Sequence, residues 1–334
     1  MLCCYRFTTT KGINMDILSG AYASVPADSS WDQQTEQLFY KTLKEDVAIS
    51  GLEIPFSGQL NRFGNEWFYA QLNSNWRNVI TCIPGTMAEL SKDPYFGIAS
   101  DNEAGRSKAI KFYQQANQQI QQLNSYFNKQ MVTHILIHSA PTINEQVPSS
   151  IRALVKSLNE LQQWDWHGAK LVIEHCDAQI NTQHSEKGFM RIEDEIDAIT
   201  TVNKHAKQKL GISINWGRSA IEAKSCNGPV EHIKQCIKAD LLTGLIFSGA
   251  SDTSDVYGVW KDSHMPPQLT DFDCINNRDS VLNEEQVKRC MQLQAGTQLD
   301  FVGCKISLLP NKQSLATRIK YIQKTLAMIK DCIN

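Results

Sequence analysis

The sequence predicts a (β/α)8 barrel, and three observations carry that expectation. Short apolar runs alternate with longer helix-periodic segments eight times along the chain, with no all-β or all-α block. The runs are nearly continuous in apolar residues, as strands covered on both faces should be. Eight such units in about 315 residues match the size of a closed barrel. An open doubly wound sheet is the competing topology, disfavoured because no Gly-rich phosphate turn follows the first strand.

The first strand is DILSGAY (16–22), followed by a helix through WDQQTEQLFYKTLKE. VAISGLEIPF (47–56) is the second, with a short helix in FGNEWFYAQLNS. RNVITCIPGT is the third strand, closed by Pro84 and Gly85. A long polar helix over 102–129 follows, with apolar spacing through Ile110, Phe112, Ile120, Leu123 and Phe127. VTHILIHSAP (132–141) is the fourth strand, and Ser149 or Ser150 caps the helix after it. AKLVIEHCDA, LGISINWG, LTGLIFSGAS and DFVGCKISLLP supply strands five to eight. Each is followed by a helix: IEDEIDAITTVNKHAKQK, PVEHIKQCIKA, NEEQVKRCMQLQAG and SLATRIKYIQKTLAMIKD. A loop of roughly 35 residues separates strand seven from its helix. No linker splits the chain, so residues 15–334 are expected to form the barrel as one domain. Residues 1–14 read as an unstructured or upstream extension.

Composition narrows the function. The chain has 334 residues, 42% apolar and 20% charged, with a net charge of −2. That lacks the basic excess with which a nucleic-acid binder neutralises phosphates, and favours small-molecule chemistry. The ten cysteines show no CxxC pairing and read as reduced, buried small hydrophobes. No apolar run is long enough to span a membrane, and the N-terminus lacks a signal-peptide pattern; the expected compartment is the cytoplasm.

In a barrel, alternate strand residues point inward and chemistry sits at the C-terminal mouth. Aligning the strands by their last inward position gives Glu53, His138, Glu174, Asn215, Ser248 and Lys305. A core filled only for stability would carry Val, Ile and Leu there; six strands offer polar or ionisable groups at one level instead. Glu174 and Lys305 also admit a plainer reading, as an ion pair across the mouth, since either charge buried alone would cost several kcal/mol. The fifth strand continues into His175, directed outward toward a helix, and Asp177, within reach of a ligand. The loop after strand seven carries Asp262 and His264 as an Asp-x-His pair beside Trp260. In extended backbone the pair shares one face, so both could meet one metal or one hydroxyl-rich ligand. Trp260 could stack on a sugar face, and Trp216 follows Asn215 at the end of strand six.

At LVIEHCDA, SINWGRS and GVWKDSHMPP the sequence resembles the xylose-isomerase-like barrel superfamily, which contains sugar isomerases, ketose epimerases and endonuclease-IV-type enzymes. More narrowly, it is similar to an uncharacterised bacterial group of sugar-isomerase relatives. The resemblance implies a carbohydrate ligand and, in the metal-dependent epimerases, a divalent cation held at the ends of strands five to eight. Glu174 matches the strand-five glutamate. Asn215 stands where an acid or histidine is usual, Ser248 where histidine is usual, and Lys305 where the second essential glutamate is usual. Asp262 and His264 resemble the Asp-x-His metal pair of endonuclease-IV-type members. Replacing a carboxylate by an ammonium changes the local charge by two units. Each unit is worth about 4 kcal/mol at about 4 Å and an effective dielectric near 20. The standard metal site is therefore expected to be absent. Either Lys305 takes over from the cation, or a shifted metal uses Glu174, Asp262 and His264.

The resulting expectation is proton transfer on a sugar or sugar acid, with Glu174 as base and Glu53 as second candidate. Lys305 would stabilise the oxyanion and His138 shuttle a proton. Asn215, Trp216, Ser248, Trp260, Asp262, His264 and Asp177 would contact the substrate. The alternative from another class is a carbohydrate-binding barrel that has lost catalysis.

Overall fold

In the computed structural model the apolar runs become strands that pair side by side in chain order. It describes residues 7–8, 14–26, 31–180, 185–269, 277–294 and 297–333. After β1 (Phe7–Thr8), eight strands follow: β2 (Asn14–Ser19), β3 (Gly51–Pro55), β4 (Asn78–Thr81), β5 (Val132–Ile137), β6 (Lys170–His175), β7 (Gly211–Asn215), β8 (Leu242–Phe247) and β9 (Phe301–Cys304). Neighbours pair in parallel from β2 to β9, and β9 pairs back onto β2 from Asp16↔Phe301 to Ser19↔Cys304, closing the cylinder. The expected (β/α)8 barrel is the fold observed. Phe7–Thr8, within the segment read as an extension, instead pair antiparallel with Met15 and Asn14; residues 1–6 and 9–13 lie outside the described residues.

Among the described residues ten α-helices wrap the barrel: α1 (Gln33–Asp46), α2 (Asn65–Gln71), α3 (Ile83–Leu90), α4 (Glu103–Phe127), α5 (Ile151–Leu161), α6 (Ile192–Asn203), α7 (Trp216–Ala223), α8 (Asn227–Lys238), α9 (Glu284–Leu293) and α10 (Leu315–Ile333). Side-chain caps place several starts. Asn102 accepts from Gly105 N at 2.9 Å, and Ser150, one of the two expected caps, accepts from Ala153 N at 3.1 Å. Two helices depart from the sequence reading. Pro84 and Gly85 do not close the third strand but lie in the first turn of α3, where proline's fixed φ suits a helix and its missing N–H goes unused. The segment after Asn215 turns at once into α7, with Asn215 as its cap.

Leu18, Val79, Leu136, Val172, Ile246 and Phe301 fill the barrel interior as one apolar plug. Gly244 makes room for Phe301: a Cβ there would lie 2.2 Å from the ring. On the opening side of the plug the inward positions turn polar. On the opposite rim, Asp300 takes His134 at 2.9 Å and Lys170 at 2.8 Å. The seven cysteines among the described residues are all free, five of them buried. No helix among the described residues is long and apolar enough to cross a membrane.

Candidate active site at the barrel mouth

Glu174 and Lys305, 131 positions apart in sequence, meet at the centre of the mouth, and both are fully buried. Lys305 Nζ lies 2.6 Å from Glu53 Oε1 and 3.8 Å from Glu174 Oε1. Glu174 Oε2 receives His138 Nε2 at 2.9 Å and Thr81 Oγ1 at 3.3 Å, and its Oε1 accepts from Asn215 Nδ2 at 3.3 Å. Five of the six positions expected from strand alternation thus gather around one carboxylate, Glu53 through Lys305; Ser248 does not reach it.

Its second cation is Arg218, which the sequence reading did not single out. Arg218 Nη1 approaches Glu174 Oε1 at 2.9 Å, while its Nε reaches Asp262 Oδ2 at 3.2 Å. Asp262 also holds Lys187 at 2.9 Å. Glu53, Glu174 and Asp262 therefore face Lys305, Arg218 and Lys187, one cation per carboxylate, as burial demands. The signal for Arg218 was available: a charged residue three positions after an inward Asn215. It becomes a mouth residue only because the chain turns helical at Trp216. Tyr22, also missed, lies in the turn after β2 with its ring centroid 5.4 Å from Lys305 Nζ. Gly20 leaves the space these groups use; a Cβ there would lie 3.0 Å from Lys305 Cβ and 3.1 Å from Glu53 Oε2.

The loop after β8 closes over this cluster. His264 Nδ1 bonds Ser248 Oγ at 2.8 Å and lies 3.3 Å from Asp262 Oδ1, and Ser307 N donates to His264 O at 2.7 Å. Trp260 and His264 both adopt left-handed backbone, with φ of 50° and 54°. Asp177 accepts from the backbone N–H of Glu186 and Lys187 at 2.6 and 2.8 Å, which fixes the loop after β6 beside Lys187. The two tryptophans do not behave as expected. Trp216 faces the opposite side of the strand end from Asn215 and packs in the apolar layer between barrel and helices; Trp260 is partly buried against the same layer.

The environment divides the titratable groups. Burial pushes the Glu53 carboxyl up despite Lys305 beside it. For Glu174 and Asp262 burial acts in the same direction, but the adjacent cations win and hold both well below the usual carboxylate range. Burial keeps His138 neutral in spite of Glu174, and drives His264 down to about 3. An ionised carboxylate only accepts hydrogen bonds, so His138 donates Nε2–H to Glu174 and its Nδ1 carries the lone pair. His138 Nδ1, Glu53 Oε2, Ser213 Oγ and Asp177 Oδ1 are buried with no hydrogen-bond partner among the described residues. Other buried atoms without a partner, such as Asp16 Oδ1 and Thr325 Oγ1, lie away from the mouth, but His138 Nδ1 and Glu53 Oε2 belong to residues of the cluster itself. An open cavity of about 260 Å³, lined by Tyr22, Tyr40, Pro55 and Asn61 among others, adjoins the cluster on the β2–β3 side.

These residues do not fit a divalent cation. The approach to Glu174 is filled by a guanidinium and an ammonium, and each would repel a +2 ion by about 8 kcal/mol at about 4 Å and an effective dielectric near 20. The shifted set of Glu174, Asp262 and His264 fails for the same reason, because Arg218 bridges Glu174 and Asp262. His175 points outward, as expected, and joins Glu195, Glu222 and His232 outside the barrel.

Fold and mouth define a closed (β/α)8 barrel with a cluster of buried ionisable groups at the C-terminal ends of its strands. The structure is similar over 95% of its length to a candidate xylose isomerase from Rhodospirillum rubrum (TM-score 0.60, 8% identity, 99% of that chain). It is similar over its whole length to a sugar phosphate isomerase/epimerase from Parabacteroides distasonis (TM-score 0.54, 9% identity, 100% of that chain). At such identities the likeness is one of fold. In sequence, the chain belongs to the family described as "Domain of unknown function (DUF4862)", whose model matches residues 18–321. It is 31% identical over 323 residues to the uncharacterized protein STM3670 of Salmonella typhimurium, covering 95% of this chain and 97% of that one.

Proposed function

We propose that this protein is an isomerase or epimerase of a small carbohydrate or sugar acid, in which Lys305 and Arg218 take the electrophilic role of a metal. The observation that carries the reading is the pairing of two fixed cations with two buried, unpartnered acceptors, Glu53 Oε2 and His138 Nδ1. Removing a proton beside a carbonyl needs a base, and the resulting enediolate oxygen needs positive charge placed in advance. Lys305 and Arg218 supply that charge without reorganisation.

Glu174, the base expected from the sequence, is the poorest proton acceptor of the three, because its clamped ionised form is strongly favoured. Its part is to hold Lys305, Arg218 and the His138 ring in place. Glu53, whose proton affinity is raised, and neutral His138 move the proton: one takes it from carbon, and the same or the other returns it to the adjacent carbon or the opposite face. Substrate would reach the cluster past Tyr22, from the cavity on the β2–β3 side. Asn215, Ser248, Asp177, Asp262 and His264 would hold hydroxyls.

The test is solvent exchange. The full-length protein is incubated in D₂O with a panel of aldoses, ketoses and sugar acids, and deuterium at the carbon beside the carbonyl is followed by NMR. Exchange is expected for at least one compound, falling by about 10²- to 10⁴-fold in Glu53→Gln or His138→Asn. A second reading is favoured by the complete burial of Glu174 and Lys305: a barrel that binds carbohydrate and performs no chemistry. Compounds that raise the melting temperature and never exchange would establish it and overturn the first.

A further inference from the structure

We propose that His175, Glu222 and His232 form a binding site for a divalent transition ion of the zinc class, outside the barrel and separate from the mouth. The three come from different elements: His175 from the end of β6, Glu222 from α7 and His232 from α8. Their ligand atoms all lie within 4.8 Å of one another. His175 Nε2 is 3.1 Å from Glu222 Oε2, and His232 Nε2 is 3.4 Å from Glu222 Oε1. Metal–ligand bonds of about 2.1 Å at tetrahedral angles put neighbouring ligand atoms about 3.4 Å apart, so these separations suit one ion with little movement.

The surroundings support the same assignment. His175 Nδ1 bonds Glu195 Oε2 at 2.8 Å, and Glu195 is itself held by Ser139 Oγ at 2.5 Å. His232 Nδ1 bonds Ser219 Oγ at 2.9 Å. Each ring therefore has its Nδ1 engaged by an oxygen and its Nε2 turned to Glu222. A carboxylate behind one ring and a hydroxyl behind the other is how proteins orient metal-bound histidines. The rings stand edge to face, centroids 4.7 Å apart and planes at 88°, so both nitrogens approach one point without the rings clashing. Ala178 N donates to Glu222 Oε2 at 2.8 Å, fixing the carboxylate.

Charge points to a cation as well. Two carboxylates, Glu195 and Glu222, stand against two imidazoles with almost no exposure to water. Bound through neutral imidazole nitrogens, a divalent ion would take the place of ring protons and face the charge of these two carboxylates. Two imidazoles and one carboxylate suit Zn²⁺ and its neighbours better than Mg²⁺ or Ca²⁺, which prefer all-oxygen shells. Bound there, the ion would tie the end of β6, one residue beyond Glu174, to the two helices that follow β7.

Cobalt(II) replaces zinc as the probe because its visible absorption reports coordination. Full-length protein, stripped with a chelator and desalted, is titrated with Co²⁺ alone and, separately, with Zn²⁺ in a calorimeter. One equivalent is expected to bind, with the intense visible bands of a low-coordinate cobalt centre. Glu222→Gln and His232→Asn should abolish the bands. Glu195→Gln, which loosens the His175 ring without removing a ligand, should weaken affinity by about 10- to 100-fold, whereas Glu174→Gln at the mouth should leave it unchanged. No bands and no heat with wild type would overturn the proposal, as would binding that persists in Glu222→Gln or disappears in Glu174→Gln. Should a variant fail to fold, crystals of wild type soaked in Zn²⁺ decide the matter: anomalous density must lie between the two Nε2 atoms and Glu222, and its absence there refutes the site.

Discussion

Replacing Lys305 by methionine tests the electrostatics of the mouth directly. The side chain is fully buried, 2.6 Å from Glu53 and 3.8 Å from Glu174, so the substitution keeps the volume and deletes the charge. Glu174 retains Arg218 at 2.9 Å, but Glu53 loses the lysine that forms its ion pair among the described residues. Breaking a buried pair from one side costs about 3–5 kcal/mol. An unfolding entropy of about 2.1 cal/mol/K per residue over 334 residues amounts to about 0.7 kcal/mol/K. The melting midpoint should therefore fall by about 4–7 °C in calorimetry. Adding Glu53→Gln removes the stranded charge and should restore most of that loss. The deficit of the single variant relative to wild type should shrink as pH falls: burial already raises the Glu53 carboxyl, and without Lys305 it rises further, so in the window above its unfolded value the native variant binds more protons than the unfolded chain. Solvent exchange of substrate should be lost in both variants. A single variant as stable as wild type, or a double variant no better than the single, would refute the argument that this charge is compensated at the mouth.

Acid should destabilise the wild type over a broad range. Asp300, held at about 2 by His134 and Lys170 against the upward push of burial, contributes stability that is present above its unfolded value and lost as pH falls through the folded one, and Glu174 and Asp262 act in the same sense. His264 adds to the slope from the other side: burial and the neighbouring cations keep it neutral in the native state down to about 3, while the unfolded chain takes up the proton near 6.5. Denaturant titrations from pH 7 to 3 should show a steady fall, shallower in His264→Asn; a flat profile in wild type would contradict this. Gly20→Ala places a methyl 3.0 Å from Lys305 and 3.1 Å from Glu53, and should cost about 1–3 kcal/mol with a larger proportional loss of turnover. Unchanged exchange kinetics would show that the placement of these two groups does not matter.

Much of the barrel was legible because its signals are local. Apolar runs mark strands, periodicity marks helices, and a period of two tells which side of each strand faces in. From that parity alone Glu53, His138, Glu174, Asn215, Ser248 and Lys305 are expected at one level; in the structure His138, Asn215 and Lys305 gather around Glu174, Glu53 joins through Lys305, and Ser248 bonds His264 instead. What strand parity could not reach are residues delivered by turns. Arg218, Tyr22 and Lys187 enter the mouth only because the chain bends after a strand end, and such a bend is decided by packing and capping over a few residues rather than by a long pattern. The pairing order was equally out of reach. Sequence placed Lys305 opposite Glu174, whereas the folded chain gives it first to Glu53 and seats Arg218 on Glu174. Those choices follow from distances of about an ångström inside a low-dielectric space, where each buried charge must find its nearest partner. The order of residues along the chain carries the alternation of strands and helices; only closure of the cylinder brings those charges close enough for the choice to exist.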